Sequence, residues 1–113
     1  MTLPAVTSQA TSLATVRVCD KAWEYASSGK LDIKSVVLDD GEAAMGCLRL
    51  AELERIMVEL GSGVNVAMCF DGRLEKALGR KLGKEEVVVI VLCGGSNVGL
   101  DMMVKWREEF GLV

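Results

Sequence analysis

Apolar residues recur at helical spacing along most of this chain, and the pattern breaks in two places. Val16, Cys19, Ala22, Trp23 and Ala26 fall three and four residues apart, the stripe of an amphipathic helix that stops at Ser27-Ser28-Gly29, with Thr15 placed to cap it. Trp23 lies on that stripe and reads as a core anchor. A longer helix from about Gly41 to Glu59 turns Ala44, Cys47, Leu48 and Ala51 inward and, further along, Leu53, Ile56, Met57 and Leu60. Its charges, Glu42, Arg49, Glu52, Glu54 and Arg55, fall mostly off the stripe, where water solvates them. Gly61-Ser62-Gly63 interrupts the pattern. A further helix takes Ala67, Phe70, Leu74, Ala77 and Leu78 inward and ends in the basic cluster Arg80, Lys81 and Lys84, a charge that suits a helix C-terminus. The last helix follows Asn97, with Leu100, Met103, Val104, Trp106 and Phe110 apolar and Gly111 as its stop.

The two breaks read as strands. Lys34–Leu38 is short, whereas Val87–Leu92 is an unbroken apolar run, mostly β-branched, of the kind that is buried on both faces in a parallel sheet. The expected fold is therefore α/β, in the order α-β-α-α-β-α with two parallel strands. After the first strand, Asp39 and Glu42 have the spacing of a capping box. The same acids could hold a divalent cation, but the helix dipole is a sufficient reason for them. After the second strand, Gly94 and Gly95 allow a tight turn, and Ser96 or Asn97 can cap the following helix. A buried strand, two glycines and a capped helix form an edge for an anion or cofactor, since helix N-terminal amides face outward there; the same pattern also fits a turn with no ligand.

Composition narrows the picture. A length of 113 residues fits one domain spanning 1–113, and with half its residues apolar and one proline the chain is globular. A net charge of −3 argues against a nucleic-acid partner, whose footprint would be basic. No apolar run reaches membrane-spanning length and the N-terminus lacks a basic, then hydrophobic, leader, so a soluble, cytoplasmic protein is expected, with no membrane partner. Cys19, Cys47, Cys69 and Cys93 show no CxxC spacing and read as buried free thiols. Histidine is absent, which excludes Ser-His and Cys-His nucleophile systems within this chain.

Val91-Leu92-Cys93-Gly94-Gly95-Ser96-Asn97, followed by an amphipathic helix, resembles the C-terminal motif of the catabolic L-serine/L-threonine dehydratases. Those are pyridoxal-phosphate ammonia-lyases of the tryptophan-synthase-β-like fold, fold type II. Leu3–Ala10 resembles the family's segment around a Thr-Ser pair, and Val58-Glu59-Leu60-Gly61-Ser62-Gly63 resembles its Val-Glu-Pro-x-x-Gly segment. The match keeps its order from about Leu3 to Gly111 and covers the last third of the family's length.

The resemblance implies a set of roles. Cys93 would face the pyridine nitrogen of the cofactor, with Gly94, Gly95, Ser96 and Asn97 completing the contact; a thiol there leaves the nitrogen unprotonated, which suits β-elimination. Glu59 matches a glutamate that helps bind a monovalent or divalent cation, although Leu60 stands where the family has proline and Gly61-Ser62 where it has an Ala-Cys step. The family's Schiff-base lysine, substrate-carboxylate loop and phosphate loop lie upstream, and no lysine here stands in a matching context. The chain alone is thus expected neither to bind pyridoxal phosphate nor to act as a dehydratase. Because two strands leave both sheet edges open, residues 87–92 are expected to pair with another copy of the chain or with a complementary dehydratase-like polypeptide. Two functions remain. One is a stand-alone, repurposed domain: a pseudoenzyme that binds a small molecule or a partner, or one with cofactor-free chemistry on carboxylates such as Glu59 or Asp101. Met1 and the early Pro4 favour this reading. The other is the C-terminal part or subunit of the ammonia-lyase.

Overall fold

A computed structural model describes residues 2–113. A 3₁₀ turn at Thr11–Leu13 precedes five α-helices: α1 (Asp20–Ser27), α2 (Asp40–Glu54), α3 (Leu60–Ala67), α4 (Arg73–Leu78) and α5 (Leu100–Glu109). The described residues contain no strand, which overturns the expected α/β fold with two parallel strands. The physical reason lies in the hydrogen bonds. No backbone N–H or C=O of residues 34–38 or 87–92 bonds to another backbone group among the described residues. β-Branched residues favour strands through packing on a pleated surface beside a neighbour, and here neither run has one. Val87 and Val89 instead stand 87% and 80% exposed.

The core forms where α2 crosses α3. Ala43, Ala44, Gly46 and Cys47 make a buried small-residue face on α2, and Gly63, Val66 and Ala67 are buried on α3. A β-carbon at Gly46 would enter the Gly63 carbonyl and come within 2.9 Å of the Ala67 nitrogen; one at Gly63 would enter the Ala43 carbonyl and the Cys47 sulfur. Glycine at both places lets the two backbones approach this closely. Val58, Leu60, Val98, Met103 and Trp106 complete the buried cluster, with α5 packed on α2.

Helix ends account for several departures from the expected boundaries. The capping box at α2 is present: Asp39 Oδ1 accepts from the Glu42 amide at 2.8 Å, and the Asp39 amide donates to Glu42 Oε2 at 3.1 Å. The helix ends at Glu54 because Arg55 turns left-handed (φ 62°), so it stops five residues before the Glu59 its apolar pattern implied. Gly61-Ser62-Gly63 is not a break but the buried first half of α3. The expected single helix through Ala67 and Leu78 is split by Asp71 and Gly72, both at positive φ. At α5 the N-cap is Gly99 rather than Ser96 or Asn97, which lie in a preceding turn. Gly111 does stop α5: Leu112 N–H donates to the Arg107 carbonyl at 2.9 Å and Gly111 N–H to Glu108 at 3.3 Å, the paired bonds of a Schellman motif.

α1 carries no buried residue, and Trp23 is 65% exposed, so Trp23 is not a core anchor. Its N-cap is Cys19 and not Thr15. All four cysteines are free, yet only Cys47 is buried; Cys19, Cys69 and Cys93 are exposed, since each lies outside α2 and α3, whose crossing forms the core. The radius of gyration, 15.3 Å, exceeds the ~13 Å of a compact domain near this length, consistent with so much apolar surface in water. No helix among the described residues is long and apolar enough to cross a membrane.

Candidate functional site

The glycine-rich turn and the start of α3, more than thirty residues apart in sequence, meet in space. Glu59 N–H donates to the Gly94 carbonyl at 3.1 Å. Ser62, fully buried, accepts from the amides of Cys93 at 3.1 Å and Gly94 at 3.3 Å, and its hydroxyl lies 3.4 Å from the Gly94 carbonyl it can donate to. One turn further along α3, Asn65 Nδ2 donates to the Val91 carbonyl at 3.1 Å. Positions 59, 62 and 65 follow one face of the helix at three-residue spacing. Six residues of helix rise about 9 Å, and an extended chain covers about 10 Å between residues 91 and 94. The face of α3 therefore matches the segment it holds, running antiparallel to it.

Close packing fixes the next residue. A β-carbon at Gly95 would enter the Met57 carbonyl and lie 2.7 Å from Val58 Cα, whereas one at Gly94 would meet nothing within 4 Å. Of the two glycines, Gly95 is the one the contact requires. Gly95 then accepts from the Val98 amide at 3.0 Å, closing the turn that carries Ser96 and Asn97.

A cleft of about 110 Å³ opens beside this contact, lined by Gln9–Ser12, Glu59–Gly61, Asn97, Val98, Met102 and Trp106. The N-terminal segment is held there by Asp40 at the start of α2, which accepts from Ser8 Oγ at 2.6 Å and from the Gln9 amide at 2.8 Å. Gln9 Nε2 also donates to Glu109 at 2.7 Å. All three segments singled out in the sequence thus reach one cleft.

The structure brings Glu59, Cys93, Gly94, Gly95 and Asn97 to this region, with Ser96 exposed on the turn. Glu59 is half-buried at the N-cap of α3, where its carboxylate makes no capping hydrogen bond. Among the described residues no three acidic, cysteine or histidine side chains converge as a metal site would need. Burial pushes the Cys47 thiol up to about 12, with the Glu59 charge adding to the rise, so this sulfur stays protonated beneath the site. Ser62 and Asn65 were not picked out by sequence reasoning. Their signal was available: polar residues three apart from Glu59 on a helix otherwise made of apolar and small residues.

No family model matches the chain. Among curated proteins it is 37% identical over 106 residues to one from Saccharomyces cerevisiae named as a truncated L-serine dehydratase, covering 93% of this chain and 50% of that protein. It is 34% identical over 93 residues to the catabolic L-serine/threonine dehydratase of the same yeast, covering 81% of this chain and 25% of the enzyme. A serine dehydratase-like protein of Mus musculus is 31% identical over 113 residues, covering 98% of this chain and 34% of its own length. The chain thus spans half or less of each of these relatives.

Proposed function

Because the chain belongs to the serine/threonine dehydratase family as a C-terminal portion of it, we propose that it is a truncated piece whose working surface another polypeptide completes. The observation that carries this reading is the exposure of Val87, Val89 and Val91, in the most apolar run of the chain and directly before the Cys93–Gly95 turn. Apolar side chains left this exposed mark an interaction site. The partner is a complementary dehydratase-like polypeptide or a second copy of the chain, and the setting is the cytoplasm.

Pyridoxal phosphate would meet this chain along Cys93–Asn97 only. No lysine lines the cleft, and Lys81 is engaged with Glu75, which raises its pKa away from what an imine-forming amine needs. The residues here do not by themselves fit the cofactor, and neither cofactor binding nor dehydratase turnover is expected of the isolated chain.

Light scattering of the chain alone, and mixed with the N-terminal two thirds of an L-serine dehydratase, tests the proposal. A complex or self-association at micromolar concentration is expected, with cofactor absorbance in the mixture alone. A well-folded monomer indifferent to the added polypeptide would defeat it.

A second reading, a repurposed small-molecule binder, draws support from a groove of about 560 Å³ between residues 32–38 and helices α3 and α4. That volume lies in the ordinary range for ligand pockets. Its lining is mainly apolar, with Asp32, Lys34 and Asn65 as polar members. Glu59 and the exposed Asp101 would be the carboxylates of any cofactor-free chemistry. Retention of small apolar compounds by the chain alone is the outcome that favours this alternative.

A further inference from the structure

We infer that Ser62 is the positioning residue of the Cys93–Gly94 turn, the group that sets where the Cys93 thiol stands. The inference rests on the reading that this turn is the chain's working edge, and adds how the edge is held. Ser62 is the one fully buried polar side chain among the described residues, and it faces three backbone polar groups of the turn. One hydroxyl can accept twice and donate once, so the Cys93 amide, the Gly94 amide and the Gly94 carbonyl use its full capacity. Glu59 N–H supplies a second donor to the Gly94 carbonyl. The consequence is a backbone fixed on its inner side while the Cys93 side chain is left exposed on the outer side.

Alternatives to serine are few at this position. A larger side chain has no room in a fully buried site, and alanine leaves the two amides without their acceptor. Cysteine, of similar size, is a weaker acceptor. Ser62 therefore does for residues 93 and 94 what a neighbouring strand would otherwise do, and it does so from a helix.

The test uses the full chain with Ser62→Ala and Ser62→Cys, read by amide exchange at single-residue resolution and by alkylation rates of each cysteine. In Ser62→Ala the Cys93 and Gly94 amides exchange about fivefold to tenfold faster, the effect of losing an ordinary hydrogen bond. Amides within α2 and α5 keep their rates, and Cys93 alkylation changes relative to Cys69. Ser62→Cys restores part of the protection. Unchanged exchange at residues 93 and 94, or a uniform rise over the whole chain, would overturn the inference. Association is measured on the wild-type chain alone, so failure of partner binding counts against the proposed function and leaves the Ser62 result standing.

Discussion

Gly46 of α2 and Gly63 of α3 lie against each other so closely that a side chain on either would enter the backbone of the opposite helix. Everything in the candidate site depends on this crossing, because α3 carries Glu59, Ser62 and Asn65 to the Cys93–Gly95 turn.

Gly46→Ala and Gly63→Ala should each destabilise the fold by about 1–3 kcal/mol, the usual penalty of overpacking, since the atoms in the way are mostly backbone and cannot rotate aside. Urea titration gives the value. Wild-type midpoints in both variants would mean that the helices do not cross as closely as described.

The paired glycines of the turn should behave differently. Gly95→Ala pushes into Met57 and Val58 and should cost about 1–3 kcal/mol, whereas Gly94→Ala faces open space and should stay within about 0.5 kcal/mol of wild type. Thermal melts of the two variants side by side decide the point; equal effects would contradict it.

Stability should decline in alkali because of Cys47. Its folded pKa, about 12, lies above the ordinary thiol value of 9.0, so the folded state retains a proton that the unfolded chain releases. The stabilisation is complete below about 9 and is lost as pH rises from there through about 12. Urea midpoints across that window should fall less steeply for Cys47→Ala than for the wild-type chain. Parallel slopes would remove Cys47 as the cause.

The two tryptophans should report opposite environments. Trp106 is 5% exposed and Trp23 65% exposed. Acrylamide should quench Trp23→Phe weakly and Trp106→Phe strongly, with redder emission from the latter. Equal quenching of the two variants would contradict the assignment.

The capping box can be checked by Asp39→Ala. Loss of the Glu42 amide contact should cost about 1 kcal/mol. The same change should loosen the Glu42–Arg73 pair at 3.0 Å, which ties α2 to α4. Denaturant titration of Asp39→Ala, Arg73→Ala and the double variant reveals that coupling as a departure from additivity.

Local signals read true where they were local. The Asp39–Glu42 cap and the Gly111 stop depend on groups within a few residues of one another, so their chemistry is complete in the sequence. Likewise, Cys93–Gly95 and Val58–Gly63 stand out as short segments, and the family they point to is the one the relatives bear. The strand reading failed for the opposite reason. Six apolar residues at 87–92 record a preference for a buried sheet, but a sheet is made by a neighbour, and no backbone among the described residues supplies one. Trp23 fared the same way, since an apolar stripe states what a helix can bury and not whether anything covers it.

By itself, then, the order of residues determined the Asp39–Glu42 cap, the Gly111 stop and the family resemblance, because each is carried by near neighbours or by short motifs. Only tertiary structure decided that Gly61-Ser62-Gly63 begins a buried helix, that this helix crosses α2 at Gly46, and that Ser62 holds the Cys93–Gly94 turn. Those facts rest on backbones from distant positions coming within van der Waals and hydrogen-bond reach, a matter of space left by absent side chains rather than of any periodicity along the chain.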